Sequence, residues 1–83
     1  MLSQNRTIRH RRNAARTATR TISARIRNEA RAQGQTIAGL REATGLDARA
    51  VLRIWFGIDP SAWAIERCRE VLGLSIEQVW KVR

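Results

Sequence analysis

The sequence predicts an all-α protein, a compact bundle of about five short helices with a basic N-terminal arm. Three observations predict it. Apolar residues return every three or four positions in successive segments, a spacing that lays them on one helical face. Glycines and small oxygen-bearing residues punctuate those segments in the order that helix ends and helix starts require. No run alternates apolar and polar residues strongly enough to make a strand.

The elements follow in chain order. Residues 1–20, MLSQNRTIRHRRNAARTATR, are polar, basic and rich in threonine. Their apolar residues Leu2 and Ile8 do not recur at helical spacing, so this stretch reads as a flexible arm that gains helix only toward its end. From Thr21 the pattern changes. Ile22, Ile26 and Ala30 share one helical face, and Gly34 follows as a C-cap. Thr36 offers an N-cap oxygen to a second helix with Ile37, Leu40 and Thr44 on one side, closed by Gly45. Asp47 caps a third, whose apolar side is Val51, Ile54 and Trp55 and whose stop is Gly57. Asp59 before Pro60 predicts the start of a fourth, because proline in the first helical position loses no needed hydrogen bond. Its buried stripe is Ala64, Ile65, Cys68, Val71 and Leu72, closed by Gly73. Ser75 caps a short fifth helix, with Ile76, Val79 and Trp80 folding back on the core. Residues 1–20 are thus expected as an arm and 21–83 as the folded domain.

Length and composition bound the class. Eighty-three residues make one small domain, and 43% hydrophobic content suits a helical bundle rather than a wholly disordered chain. A single cysteine excludes an internal disulfide framework. No stretch approaches the roughly 20 apolar residues of a membrane span, and no apolar run follows the start as in a secretory signal. The expectation is therefore a cytoplasmic protein with no membrane partner.

Charge is the loudest feature. Residues 1–28 hold eight arginines and no acid, whereas residues 29–83 hold eight Lys or Arg against seven Asp or Glu. Almost all of the net charge of +9 therefore sits on the N-terminal third. Neutralising phosphates and releasing their counterions is the commonest use of such an asymmetry, and arginine's planar fork suits phosphates and guanine edges. A solubilising tail and an organelle presequence are alternative uses of the same composition.

The run TIAGLREATGLDARAVLRIWFG, residues 36–57, carries more than its spacing. It resembles the helix-turn-helix of phage Cro and repressor proteins, the Xre-like family. The matching places are Thr36, Leu40, Gly45, Leu46, Asp47, Val51, Ile54 and Gly57. The likeness extends through VLGLSIEQVW, and the tail LGLSIEQVWKVR is similar to Ner-like regulators of Mu-type phages. The chain departs from the pattern at Ile37, where the family usually has Gln, at Arg41, where it prefers a small residue, and at Glu29, where an apolar residue is common.

The resemblance implies a sequence-specific regulator of transcription, a repressor of phage or mobile-element type, that binds double-stranded DNA with its third helix, about residues 47–56, in the major groove. It gives Ala48, Arg49, Leu52 and Arg53 as the outward, base-reading positions, and two subunits on a pseudo-palindromic site, with a monomer binding through arm and helix as the alternative. Arg49 and Arg53 stand four apart on one face, and Arg bidentate to guanine O6 and N7 is the commonest specific base contact. Ala48 or Leu52 suits a thymine methyl. Both arginines also fit an ordinary solvated surface.

Helix N-termini present free N–H groups to phosphate, which makes Thr36 a polar candidate as well as a cap. Arg6, Arg9, Arg11, Arg12, Arg16 and Arg20 suit an arm on phosphates or in a minor groove, with Arg25, Arg27 and Arg31 extending that surface. Trp55 belongs to the core stripe. Phe56 and Trp63 lie off theirs and either flank a loop or form a patch for a second subunit, and Trp80 is a lid of the bundle or part of that contact. The other function class these aromatics allow is a helix-turn-helix adaptor binding a protein partner. A basic RNA- or membrane-surface peptide is a weaker third.

His10 stands alone among arginines, and with one Cys no zinc site is expected. No nucleophile, base and orienting group fall together, so neither enzymatic activity, a cofactor nor a small-molecule ligand is expected. Cys68 on an apolar stripe reads as core.

Overall fold

Between Met1 and Gly34 the chain has neither glycine nor proline, so nothing in it interrupts a helix once one has begun. In the computed structural model, which describes the backbone of residues 2–81 and the side chains of residues 16–81, that stretch is one helix, α1 (Leu2–Ala32). The expected flexible segment over 1–20 is therefore helical instead, and the first helix is not short. Arg and Ala are strong helix formers that need no apolar periodicity, the signal that placed the start at Thr21. At 1.5 Å per residue α1 is about 46 Å long. It sets the molecule's largest dimension, 49 Å.

Four helices follow: α2 (Ile37–Thr44), α3 (Ala48–Phe56), α4 (Ala62–Leu72) and α5 (Ile76–Trp80). Among the described residues there is no strand. Thr36, Asp47 and Ser75 cap α2, α3 and α5 as their positions predict, accepting from the backbone N–H of Gly39, Ala50 and Gln78 at 3.0, 2.8 and 3.0 Å. Gln78 returns the bond to the Ser75 N–H at 2.7 Å, completing a capping box. Gly45, Gly57 and Gly73 end α2, α3 and α4 in the left-handed region that a side chain disfavours.

The start of α4 differs from expectation. Asp59 and Pro60 lie outside the helix, Asp59 takes a positive φ of 45°, and Ser61 is the N-cap residue, with no side-chain capping bond. The Asp-Pro signal marks the turn two residues early.

The second half of α1 forms the base of the core. Ile22, Ile26 and Ala30 pack with Leu40, Leu46, Val51, Ile54, Trp55, Ala64, Ile65, Cys68, Leu72 and Val79. Val71 is half-buried, and Ile76, expected to turn inward, is 61% exposed. A five-residue helix shows the core little more than one position, and Val79 takes it. Burial pushes the Cys68 thiol pKa up to about 11, so at neutral pH it stays protonated, a small apolar filler.

Candidate nucleic-acid interface

Three residues, Gly45, Leu46 and Asp47, join α2 to α3, and the turn is held from several directions. Leu46 is buried under it. The buried Thr44 hydroxyl donates to the Leu40 carbonyl at 2.6 Å and accepts the Leu46 N–H at 3.2 Å, so both its roles are used. Gly45 N–H bonds back to the Arg41 carbonyl at 2.9 Å, and the Arg67 guanidinium of α4 donates to the Thr44 carbonyl at 3.0 Å. Arg41, the residue where a small one is preferred, is exposed, so α2 packs through Leu40 and Thr44 while the arginine stem points away.

The inward side of α3 is fixed to α1. Val51, Ile54 and Trp55 are buried there. The Arg27 guanidinium donates to the Trp55 carbonyl at 3.3 Å, and the Arg31 guanidinium lies 5.6 Å from the centre of a Trp55 ring. Arg27 sits at the C-terminal end of α3, where the helix dipole favours positive charge, and Arg31 lies against the indole.

The outward side of α3 then follows from its pitch. Arg49, Leu52, Arg53 and Phe56 share it, with Leu52 41% and Phe56 59% exposed, while Ala48 lies half-buried at its edge. Phe56 falls two turns after Arg49 and so returns to nearly the same direction. Arg49 and Arg53 make no hydrogen bond or ion pair with the described residues. They line a shallow depression with Asp47, Ala50, Ser61 and Trp63. Trp63 is 66% exposed. Where α3 ends, a second depression is lined by Arg16, Thr19 and Arg20 of α1 together with Gly57, Ile58 and Asp59. Arg16 and Arg20 are exposed beside the turn that follows α3.

The sequence-predicted residues therefore divide. Arg49, Leu52, Arg16 and Arg20 are exposed, Arg53 and Ala48 are half-buried, and Thr36 is exposed while its oxygen caps α2. Arg6, Arg9, Arg11 and Arg12 lie outside the residues whose side chains are described. Arg25 and Arg27 are engaged within the fold. Arg25 donates to the Val79 carbonyl at 3.1 Å and the Lys81 carbonyl at 2.6 Å, tying the end of α5 to α1, and Arg27 holds α3. Trp80 is half-buried and donates its indole N–H to Glu66, acting as a lid on the bundle rather than a free surface. Glu66 also takes a two-pronged contact from Arg69, at 2.8 and 3.1 Å, and these bonds hold its pKa below the ordinary carboxylate value. Arg69 is further engaged by the Leu74 carbonyl at 2.8 Å.

No family model, no curated protein and no solved structure matches this chain. Among the described residues no helix is long and apolar enough to cross a membrane.

Proposed function

We propose that this chain is a sequence-specific duplex-DNA-binding regulator of transcription, of the Cro and repressor type that its α2–turn–α3 segment resembles. One observation carries the reading. The second helix of that unit carries on its outward side two arginines, the exposed Arg49 and the half-buried Arg53, that have no hydrogen bond or ion pair among the described residues, while its other side is anchored in the core. A B-DNA major groove admits one α-helix, and a guanidinium without an intramolecular partner is free to bond a guanine edge at no cost in broken contacts. Arg16 and Arg20 beside the end of α3 supply backbone contacts, with the rest of the basic N-terminal segment adding sequence-independent affinity. A homodimer on a two-fold site belongs to the same reading.

Selection from a random duplex pool tests it. The expected result is an enriched motif whose length and symmetry give the stoichiometry. Failure to enrich any motif at physiological salt overturns the reading. The exposed Phe56 and Trp63 favour a second one, an adaptor whose aromatics bind a protein partner. That reading expects poor duplex affinity and a Phe56 substitution that abolishes association without unfolding.

A further inference from the structure

Trp63 is the most exposed of the large apolar side chains, and it stands between two depressions of opposite character. On one side, with Asp47, Ala50 and Ser61, are Arg49 and Arg53, neither of which has a hydrogen bond or ion pair among the described residues. The Asp47 carboxylate beside them caps α3 through the Ala50 N–H, which leaves two guanidiniums against one carboxylate in this depression. On the other side are Thr44, Gly45, Leu46, Glu66, Arg67 and Glu70, where the charges are matched internally. Glu66 is held by Arg69 and Trp80, Glu70 stands 3.7 Å from Arg67, and Arg67 also bonds the Thr44 carbonyl. A polyanion is therefore attracted to the α3 side of the indole and gains nothing on the carboxylate side.

We propose that Trp63 is part of the DNA-binding face, its indole packing on the strand that Arg49 and Arg53 approach. The proposal rests on the DNA-binding reading above and adds a contact from α4 to those of α3. Its chemistry is that of a flat apolar plate beside two cations. The guanidiniums take phosphate oxygens or a base edge, and the ring covers the deoxyribose or thymine methyl next to them, shedding water from both. Charge on one side only also decides on which side of the ring the strand lies.

The test titrates the full chain with a selected duplex and reads acrylamide quenching of tryptophan emission, then repeats it with Trp63→Phe and measures affinity for Trp63→Ala. Trp55 is buried and Trp80 half-buried, so Trp63 dominates the quencher-accessible signal. The expected result is strong shielding by duplex, a shielding change much reduced in W63F, and roughly tenfold weaker binding by W63A, the loss typical of one anchoring aromatic. Tight duplex binding with Trp63 still fully quenchable and W63A affinity unchanged overturns the proposal while leaving the DNA-binding reading intact. Shielding by single-stranded oligonucleotide but not by duplex overturns it as well. Absence of binding to any duplex overturns both.

Discussion

Two pairs of arginines on neighbouring helices behave differently, although nothing local in the sequence separates them. Arg25 and Arg27 of α1 spend their guanidiniums on backbone carbonyls of Val79, Lys81 and Trp55. Arg49 and Arg53 of α3 have no such partner among the described residues. The difference is one of distance along the chain. The acceptors for Arg25 are more than fifty residues away, at the C-terminal end of a five-residue helix, where carbonyls run out of intrahelical partners. A helix C-terminus recruits a cation wherever the fold brings one close, so the first pair holds the fold together, while the second is the pair proposed to meet DNA.

The largest expected effect separates the pairs by function. Arg49→Ala or Arg53→Ala is predicted to cost about 1–3 kcal/mol of specific DNA binding, and to relax preference at one base position. Neither variant should move the denaturation midpoint beyond the usual range of surface changes, about 0.5 kcal/mol. Arg25→Ala should do the reverse. It is expected to cost about 1–2 kcal/mol of stability, since two charge-assisted bonds are lost at a partly exposed site. Urea denaturation measures the total, and hydrogen exchange should show α5 opening first. If R25A weakened DNA binding by more than R49A, the division between the pairs would be broken.

Within the core the same comparison has a polar counterpart. Thr44→Val is predicted to destabilise by about 1–3 kcal/mol, because the buried Leu46 N–H would lose its acceptor in the turn that sets the angle of α3. Ser23, also buried, has no hydrogen-bond partner for its hydroxyl among the described residues. Ser23→Ala should therefore be neutral or slightly stabilising in the same urea experiment.

Glu66 gives a pH signature. Its folded pKa is depressed by Arg69 and Trp80, so its contribution is present above the ordinary carboxylate value of 4.5 and lost as pH falls through the lowered value. Thermal melts from pH 6 down to about 3 should show a decline that is shallower in Glu66→Gln. An identical decline in both would place the acid sensitivity elsewhere.

Much of the fold was legible because its signals are local. The caps Thr36, Asp47 and Ser75 and the terminators Gly45, Gly57 and Gly73 act within four residues of themselves, and the buried faces of α2 and α3 follow directly from their spacing. What escaped was either non-periodic or long-range. The first half of α1 is helical through the intrinsic preference of Arg and Ala, without an apolar stripe to reveal it. The turn at Asp59 and Pro60 imitates a helix start, and Ile76 has apolar character but no room in the core. The outward face of α3 was readable as positions. That Trp63 of α4 lines the same depression was not, since only the packing of α4 against α3 brings it there.

The most direct test of the central claim is the ratio of affinities for a selected duplex and a scrambled one, measured by fluorescence anisotropy at a single salt concentration. Wild type and the Arg49→Ala, Arg53→Ala double variant are compared, with Arg25→Ala as the control. The expected result is a double variant that binds both duplexes about equally, while R25A keeps the wild-type ratio at temperatures where it stays folded. A double variant that still prefers the selected duplex as strongly as wild type would contradict α3 as the reading helix.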